Sequence, residues 1–281
     1  MLTPGIEDGR LRFRRRTGDP PRARFRRGVY LLPSLFTLGN MFCGYACVVY
    51  AMRGEYETAA PFIGFAVVLD MLDGRIARLT GTASAFGVEF DSLADVISFG
   101  MAPAILAFTW GLQPLGRLGW AAGFIFVTAA AMRLARFNIQ TAAGGDKRYF
   151  VGMPSPAAAG VPAATVFAYP DGLFDYRAAL PALAMVLIPA ILMVSTIRFR
   201  SFKTFDLRKR RPYTVLILIA TGITLITTHP RIVLVVVAYS YLASAFVGMA
   251  ITRFKHRGGH AAPADGKAPA DTGEHRGSAA G

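Results

Sequence analysis

Apolar residues in this chain come as long, nearly unbroken runs, and its polar residues collect in a few short clusters between those runs. That is neither the alternation of a half-buried strand nor the narrow stripe of a soluble amphipathic helix. Eight runs approach the roughly 20 residues needed to cross a bilayer. They predict helices over residues 31–52, 59–79, 89–111, 118–138, 155–170, 179–196, 213–228 and 231–252. The fifth is the shortest and is rich in alanine and glycine. The pattern predicts an all-α integral membrane protein with about eight transmembrane helices. Residues 1–28 form a basic arm, "GRLRFRRRTGDPPRARFRRG" at its heart, suited to lie on anionic lipid. The arm has no apolar core of a secretory signal, so the first apolar helix is expected to be an uncleaved anchor. Residues 254–281 are of low complexity with no apolar period and are expected to be disordered. No internal repeat is visible.

Composition agrees with the pattern. Of 281 residues, 53% are hydrophobic and 17% charged, against about 25% charged in an ordinary soluble domain. The net charge of +14 invites a nucleic-acid reading, but topology accounts for it. With a cytoplasmic N-terminus, eight spans leave both ends inside. Of the 31 Lys and Arg, only Arg53, Arg117, Arg177 and Arg231 then fall outside. Such a bias fixes the orientation by the positive-inside rule, and no nucleic-acid partner is needed. Cys43 and Cys47 stand four apart in one apolar helix, where they suit packing better than a disulfide or a metal.

One segment resists this description. "LDMLDGRIARLTGTASAFGVEFDSLADVISFG", residues 69–100, sets Asp70, Asp73, Asp91 and Asp95 among apolar runs. Each acid would cost roughly 2.5–3.5 kcal/mol at a bilayer centre. Asp70 and Asp73 share one helix face, Asp91 and Asp95 share a face of the next helix, and Gly81 to Ser84 supply a turn between them. The two faces can form one site of formal charge −4 at the cytoplasmic helix ends. Two divalent cations would neutralise it, and carboxylates without His or Cys favour a hard ion, Mg²⁺ or Mn²⁺. Gly74, Ala77 and Gly87 would let a bulky polyphosphate approach the backbone, and Arg78 adds a cation directed at phosphate. The same charges could serve an ion-coupled transporter as a proton or ion relay, or be polar helix ends facing water.

The full spacing is Asp70-x₂-Asp73-Gly74-x₂-Ala77-Arg78-x₈-Gly87-x₃-Asp91-x₃-Asp95. It resembles, with every fixed position filled, the signature of the CDP-alcohol phosphatidyltransferase family. The resemblance implies a six-helix core around a polar cavity, often in a homodimer. It implies a CDP-diacylglycerol donor whose phosphatidyl group passes to an alcohol with release of CMP. It implies that Asp70, Asp73 and Asp91 hold the metals, with Asp95 beside them acting as general base on the acceptor hydroxyl. Gly74, Ala77, Arg78 and Gly87 would line the CDP site. On this basis the chain divides into the arm, a core at 29–196, a basic loop with two further membrane helices at 197–253, and the tail.

A longer resemblance suggests the acceptor. "LPSLFTLGNMFCGY" at 32–45, "FDSLADVISFGMAPA" at 90–104, "RLARFN" at 133–138, "GMPSPAAAG" at 152–160 and "FKTFDLRKRRP" at 202–212 look like the bacterial, membrane-integral members that transfer to L-serine. Many of those have Pro-Asn where this chain has Pro33-Ser34, so that asparagine's nucleotide contact is not carried over. Thr37 occupies the next polar position and is assigned to the CDP site. Arg133 and Arg136, with Asn138 beside them, could pair with the carboxylate of serine or snorkel to lipid phosphate. Asn40 could line the cavity or bond helix to helix, and "GMPSPAAAG" could cover the site or open a close-packed helix. A glycerol 3-phosphate or inositol phosphate acceptor would call for extra cations, and choline for an aromatic cage. A transporter would be expected to show inverted repeats, which are not visible. The expected location is the bacterial cytoplasmic membrane, with both termini and the active site on its cytoplasmic side.

Overall fold

The computed structural model describes residues 22–80, 85–142, 149–195, 198–200, 220–222 and 224–257. Most of the basic arm, residues 201–219 with the start of the helix predicted over 213–228, and residues 258–281 lie outside the described residues, and with them the predicted interfacial lie of the arm and the disorder of the tail.

The long helices fall where the apolar runs put them. They are α1 (Arg22–Met52), α2 (Tyr56–Thr80), α3 (Ala85–Asp95), α4 (Ala102–Ala107), α5 (Arg117–Ala142), α6 (Ser155–Ala168), α7 (Tyr176–Val194) and α8 (Pro230–Arg257). α1 starts inside the basic arm, earlier than the apolar run does. Residues 220–222 and 224–228 are also helical. Among the described residues four stretches, Ser34–Met52, Ala85–Leu115, Arg117–Thr141 and Tyr176–Val194, are long and apolar enough to cross a membrane, and the bent pair Ala220–Thr228 and Pro230–Ser244 would make a fifth if it forms one span. α2 is held back by the charges of its C-terminal half, and α6, at 14 residues, is about 21 Å long.

Local chemistry sets the boundaries. Gly54 (φ 77°) and Gly116 (φ 54°) take left-handed turns before α2 and α5, a conformation that glycine adopts without a Cβ penalty. Asp175 caps α7, its side chain accepting from the Arg177 N–H at 3.2 Å. Pro154 precedes α6 and ends the extended segment before it.

The all-α architecture carries one small addition. Tyr149–Val151 (β1) and Arg198–Arg200 (β2) pair antiparallel, Phe150 opposite Phe199. Pairing satisfies backbone groups that would otherwise need water. The Met153 N–H then donates to the Leu192 carbonyl at 3.0 Å, tying this small sheet to the end of α7.

The third span, 85–115, is one rod with irregular turns. π-helical segments occupy Val96–Met101 and Phe108–Leu112, and a 3₁₀ turn, Gln113–Leu115, ends it. The wider turn starts directly after Asp95. It leaves Asp91 and Asp95 in regular register while bringing the buried Ser98 against α1, where its hydroxyl donates to the Asn40 carbonyl at 2.9 Å.

The interior is built of small residues and a few large ones. Phe99, Phe126, Ile63, Leu106, Leu112 and Met153 are fully buried among many alanines. Close backbone approach of this kind is how helices associate where lipid removes the hydrophobic drive. Large apolar side chains such as Leu35, Leu38, Phe42 and Tyr45 point outward from α1, as lipid contact requires. The tightest crossing is at Gly44, where an added Cβ would stand 2.6 Å from Ser98 Oγ and 2.8 Å from Ser98 Cα. Gly44→Ala is therefore expected to force α1 off the third span, at roughly 1–3 kcal/mol. A lowered Tm of the detergent-solubilised protein would report it, with activity falling alongside, because Asn40 sits one turn away.

Candidate functional site

Three elements converge at one end of the bundle. α2 carries Asp70 and Asp73 one turn apart, α3 carries Asp91 and Asp95, and α1 lays Thr37 and Asn40 across them. Carboxylate oxygens of Asp70, Asp91 and Asp95 all lie within 4.8 Å of one another. Asp73 (4% exposed) and Asp95 (9% exposed) are buried, while Asp70 and Asp91 are half-buried. At such separations each like-charged pair repels by roughly 3–4 kcal/mol at an effective dielectric near 20.

Part of this charge is met by hydrogen bonds from α1. The Thr37 hydroxyl donates to Asp73 Oδ2 at 3.0 Å, and Asn40 Nδ2 donates to Asp95 Oδ1 at 3.2 Å. Two buried oxygens, Asp91 Oδ1 and Asn40 Oδ1, have no hydrogen-bond partner among the described residues. An unpartnered buried carboxylate oxygen beside two further carboxylates is costly for a polar network alone, and it is the donor set a hard divalent cation requires. The cluster therefore fits a metal. Asp70, Asp91 and Asp95 are its candidate ligands, with Asp73 alongside and turned to Thr37.

Gly74 follows Asp73 on the same helix, and nothing lies within 4 Å of where a Cβ would stand. The helix is bare there, open to a bulky group. Gly87 is half-buried in the first turn of α3. Ala77 and Arg78 belong to α2, but their side chains lie outside the described residues, as does the turn at 81–84.

The α5 candidates separate. The Arg133 guanidinium donates to Ser155 Oγ at 2.8 Å and lies within electrostatic reach of Asp95 and Asp70. Among the described residues it forms no direct ion pair with an aspartate, so four of its five N–H donors are uncommitted to another side chain. Arg136 is engaged elsewhere. It donates to the carbonyls of Met193, Val194 and Ser195 at 3.1–3.4 Å, satisfying the free carbonyls of the α7 C-terminus. Asn138 Nδ2 donates to Ser92 Oγ at 2.8 Å and links α5 to α3. The structure thus brings Arg133 to the aspartates, gives Arg136 to helix capping and Asn138 to a helix–helix bond.

Sequence reasoning missed the serines. Ser92, Ser98 and Ser155 each partner a candidate residue from another helix. A faint signal existed for Ser98, since Asn40 and Gly44 mark a small, polar strip of α1 that needs a small, polar neighbour. "GMPSPAAAG" serves both of its readings. Ser155 opens α6 beside Arg133, and behind it Ala158 and Ala159 are buried and Ala157 partly so.

Comparison with known proteins places this arrangement. The model of the CDP-alcohol phosphatidyltransferase family matches residues 30–197. The chain is 41% identical over 178 residues to the CDP-diacylglycerol–serine O-phosphatidyltransferase of Helicobacter pylori, covering 62% of this chain and 74% of that protein. It is 38% identical over 143 residues to the Mycobacterium leprae protein of the same name, covering 50% and 47%. It is 35% identical over 170 residues to the archaetidylserine synthase of Methanothermobacter thermautotrophicus, covering 60% and 69%.

Proposed function

The chain belongs to the CDP-alcohol phosphatidyltransferase family, and from that premise we propose that it transfers the phosphatidyl group of CDP-diacylglycerol to the hydroxyl of L-serine, releasing CMP. The observation that carries this reading is the placement of Arg133 beside the aspartate cluster, where its charge interacts with those of Asp95 and Asp70 and, among the described residues, makes no direct ion pair. A guanidinium so placed suits a small acceptor bearing a carboxylate. The serine-linked names of the relatives agree with it.

Two divalent ions, Mg²⁺ or Mn²⁺, held by Asp70, Asp73, Asp91 and Asp95, would polarise the diphosphate and stabilise the CMP leaving group. The chain's own part is binding and proton transfer. The bare helix at Gly74, with Ala77, Arg78 and Gly87 nearby in sequence, receives the cytidine diphosphate. Asp95, oriented by Asn40, takes the proton of the serine hydroxyl as that oxygen attacks phosphorus. Asn40 Oδ1, buried and unpartnered, is an acceptor available to the serine ammonium. Arg133 holds the carboxylate. Thr37 fixes Asp73 and through it the metal end of the cavity. The chain is read as a homodimer in the bacterial cytoplasmic membrane, with eight spans, both termini inside and the site at the cytoplasmic face, where a donor can keep its tails in lipid and its head in water.

The test is transfer of radiolabelled L-serine to lipid by the purified protein with CDP-diacylglycerol and Mg²⁺ or Mn²⁺. Phosphatidylserine and CMP are expected in equal amounts, lost with EDTA and restored by excess metal. CMP release with glycerol 3-phosphate or another alcohol, and none with serine, would keep the family and overturn the acceptor.

A further inference from the structure

Arg133 is a long cation beside carboxylates, and among the described residues it forms an ion pair with none of them. Two contacts set its level against the third span. Asn138 of α5 bonds Ser92 at 2.8 Å. Eight residues back along α5 and eight forward along the third span, Ala130 meets Gly100, where an added Cβ would stand 3.2 Å from the Ala130 Cβ. The two helices therefore run antiparallel, and position 135 falls level with Asp95. Arg133 is two residues away, about 3 Å along the axis. A guanidinium at that level on a flexible arm is drawn to the nearest carboxylate, and a forked Arg–carboxylate pair is among the strongest side-chain contacts.

What holds it back is α6. Arg133 Nη1 donates to Ser155 Oγ at 2.8 Å, and Ser155 is the first residue of α6 and fully buried. This oxygen cannot follow the arginine, because the loop that delivers it is clamped. Gly152, in its left-handed conformation, is seated against the Met193 carbonyl and Arg136. The Met153 N–H donates to the Leu192 carbonyl at 3.0 Å. Arg136 in turn binds the carbonyls that end α7. The Arg133 side chain thus ends on an acceptor fixed to α7, while the acids stand on α2 and α3.

We propose that Ser155 is a positioning residue of the acceptor end, its hydroxyl oxygen holding the Arg133 guanidinium off Asp95, so that the base stays clear of an ion pair and the cation stays open to the carboxylate of the acceptor. The inference rests on the L-serine reading above. Asn40 already gives Asp95 a neutral donor, which orients the acid without masking its charge, and an arginine in its place would mask it. Without the Ser155 oxygen the guanidinium falls to Asp95, and L-serine binds only those molecules in which that pair is open. A pair closed nine times in ten lowers the apparent affinity roughly tenfold. Once L-serine is bound, its carboxylate takes the guanidinium, Asp95 is released, and the chemical step proceeds as before.

The experiment compares full-length wild type, Ser155→Ala, Ser155→Cys and Thr165→Val in mixed micelles with Mg²⁺ or Mn²⁺, varying L-serine and CDP-diacylglycerol separately. Ser155→Ala is expected to raise the KM for L-serine roughly tenfold, with the KM for CDP-diacylglycerol and kcat within about twofold. Ser155→Cys, close in size with only a weak sulfur acceptor, is expected to show the same split on a smaller scale, and it carries the comparison if Ser155→Ala does not fold. Thr165→Val removes a hydroxyl from the far end of the same helix and is expected to leave both KM values unchanged. Repeating Ser155→Ala in an Arg133→Ala background shows whether Ser155 acts through the arginine. There, loss of the hydroxyl is expected to change kcat/KM for L-serine by less than about twofold. An L-serine KM unmoved in the folded Ser155 variants, the two KM values rising together, or an undiminished effect without Arg133 would overturn the proposal while leaving the L-serine reading intact. Wild-type protein that transfers nothing to L-serine would overturn both.

Discussion

Asp95→Asn is expected to lower kcat for phosphatidyl transfer by roughly 10²–10⁴-fold, the range that loss of a general base produces, without unfolding the protein. The second half of that expectation comes from Asn40. Its Nδ2 donates to Asp95 Oδ1, and an asparagine at 95 can present its own amide oxygen to the same donor. Shape, volume and hydrogen bond are kept, and a buried charge is removed from a crowded set of carboxylates. The variant should therefore match wild type in Tm and elution profile while CMP release with serine falls to the limit of detection. Retained turnover would remove Asp95 as the base. Normal Tm with lost activity would separate chemistry from folding, which a change at the helix crossings cannot do.

Gly152→Ala is expected to act in the opposite way, through structure first. Gly152 has φ 86°, and an added Cβ would stand 2.5 Å from the Met193 carbonyl oxygen, 2.7 Å from an Arg136 nitrogen and 3.2 Å from the Ser195 carbonyl oxygen. The left-handed conformation alone costs an alanine roughly 1–2 kcal/mol. The carbonyl belongs to the backbone at the end of α7 and cannot rotate away, so the loop must move and the Arg136 cap breaks with it. A total of about 3 kcal/mol or more is expected, at the upper end of single substitutions. A large fall in Tm, with activity lost in proportion to the folded fraction, would confirm it. Because Gly152 lies three residues before Ser155, a partly folded variant should also bind serine poorly.

These two positions show how unevenly the site could be read from sequence. The aspartates were legible because charge inside an apolar run has a price that only function repays, and because helical spacing alone puts each pair on one face. The helices were legible for the same reason that lipid demands them, as apolar runs of sufficient length. The roles of the two arginines were not. Arg133 and Arg136 stand three apart on one helix with the same chemistry. What separates them is that one meets the start of α6 and the other the end of α7, a fact of tertiary packing. The serines escaped notice because serine suits loops, caps and helix crossings alike, so its presence predicts no partner. The strands Tyr149–Val151 and Arg198–Arg200 lie 46 residues apart from end to start of the intervening chain, with nothing local to announce their pairing. The π-helical turns leave no trace in an apolar pattern that is hydrophobic on every side.

The wider turn that follows Asp95 bears on how such an enzyme can change. A π turn accommodates one more residue than an α-helix does over the same rise, so the third span holds two registers, one on either side of it. The acids upstream must keep their angle to α2, and the packing residues downstream must keep theirs to α1, α5 and α6. With a slack residue between them, the two requirements are uncoupled. Substitutions that shift or rotate the packed half can be absorbed at Val96–Met101 before they reach Asp91 and Asp95. Lineages with different membranes could thus refit the bundle to local lipid thickness while inheriting the same chemistry at its inner end.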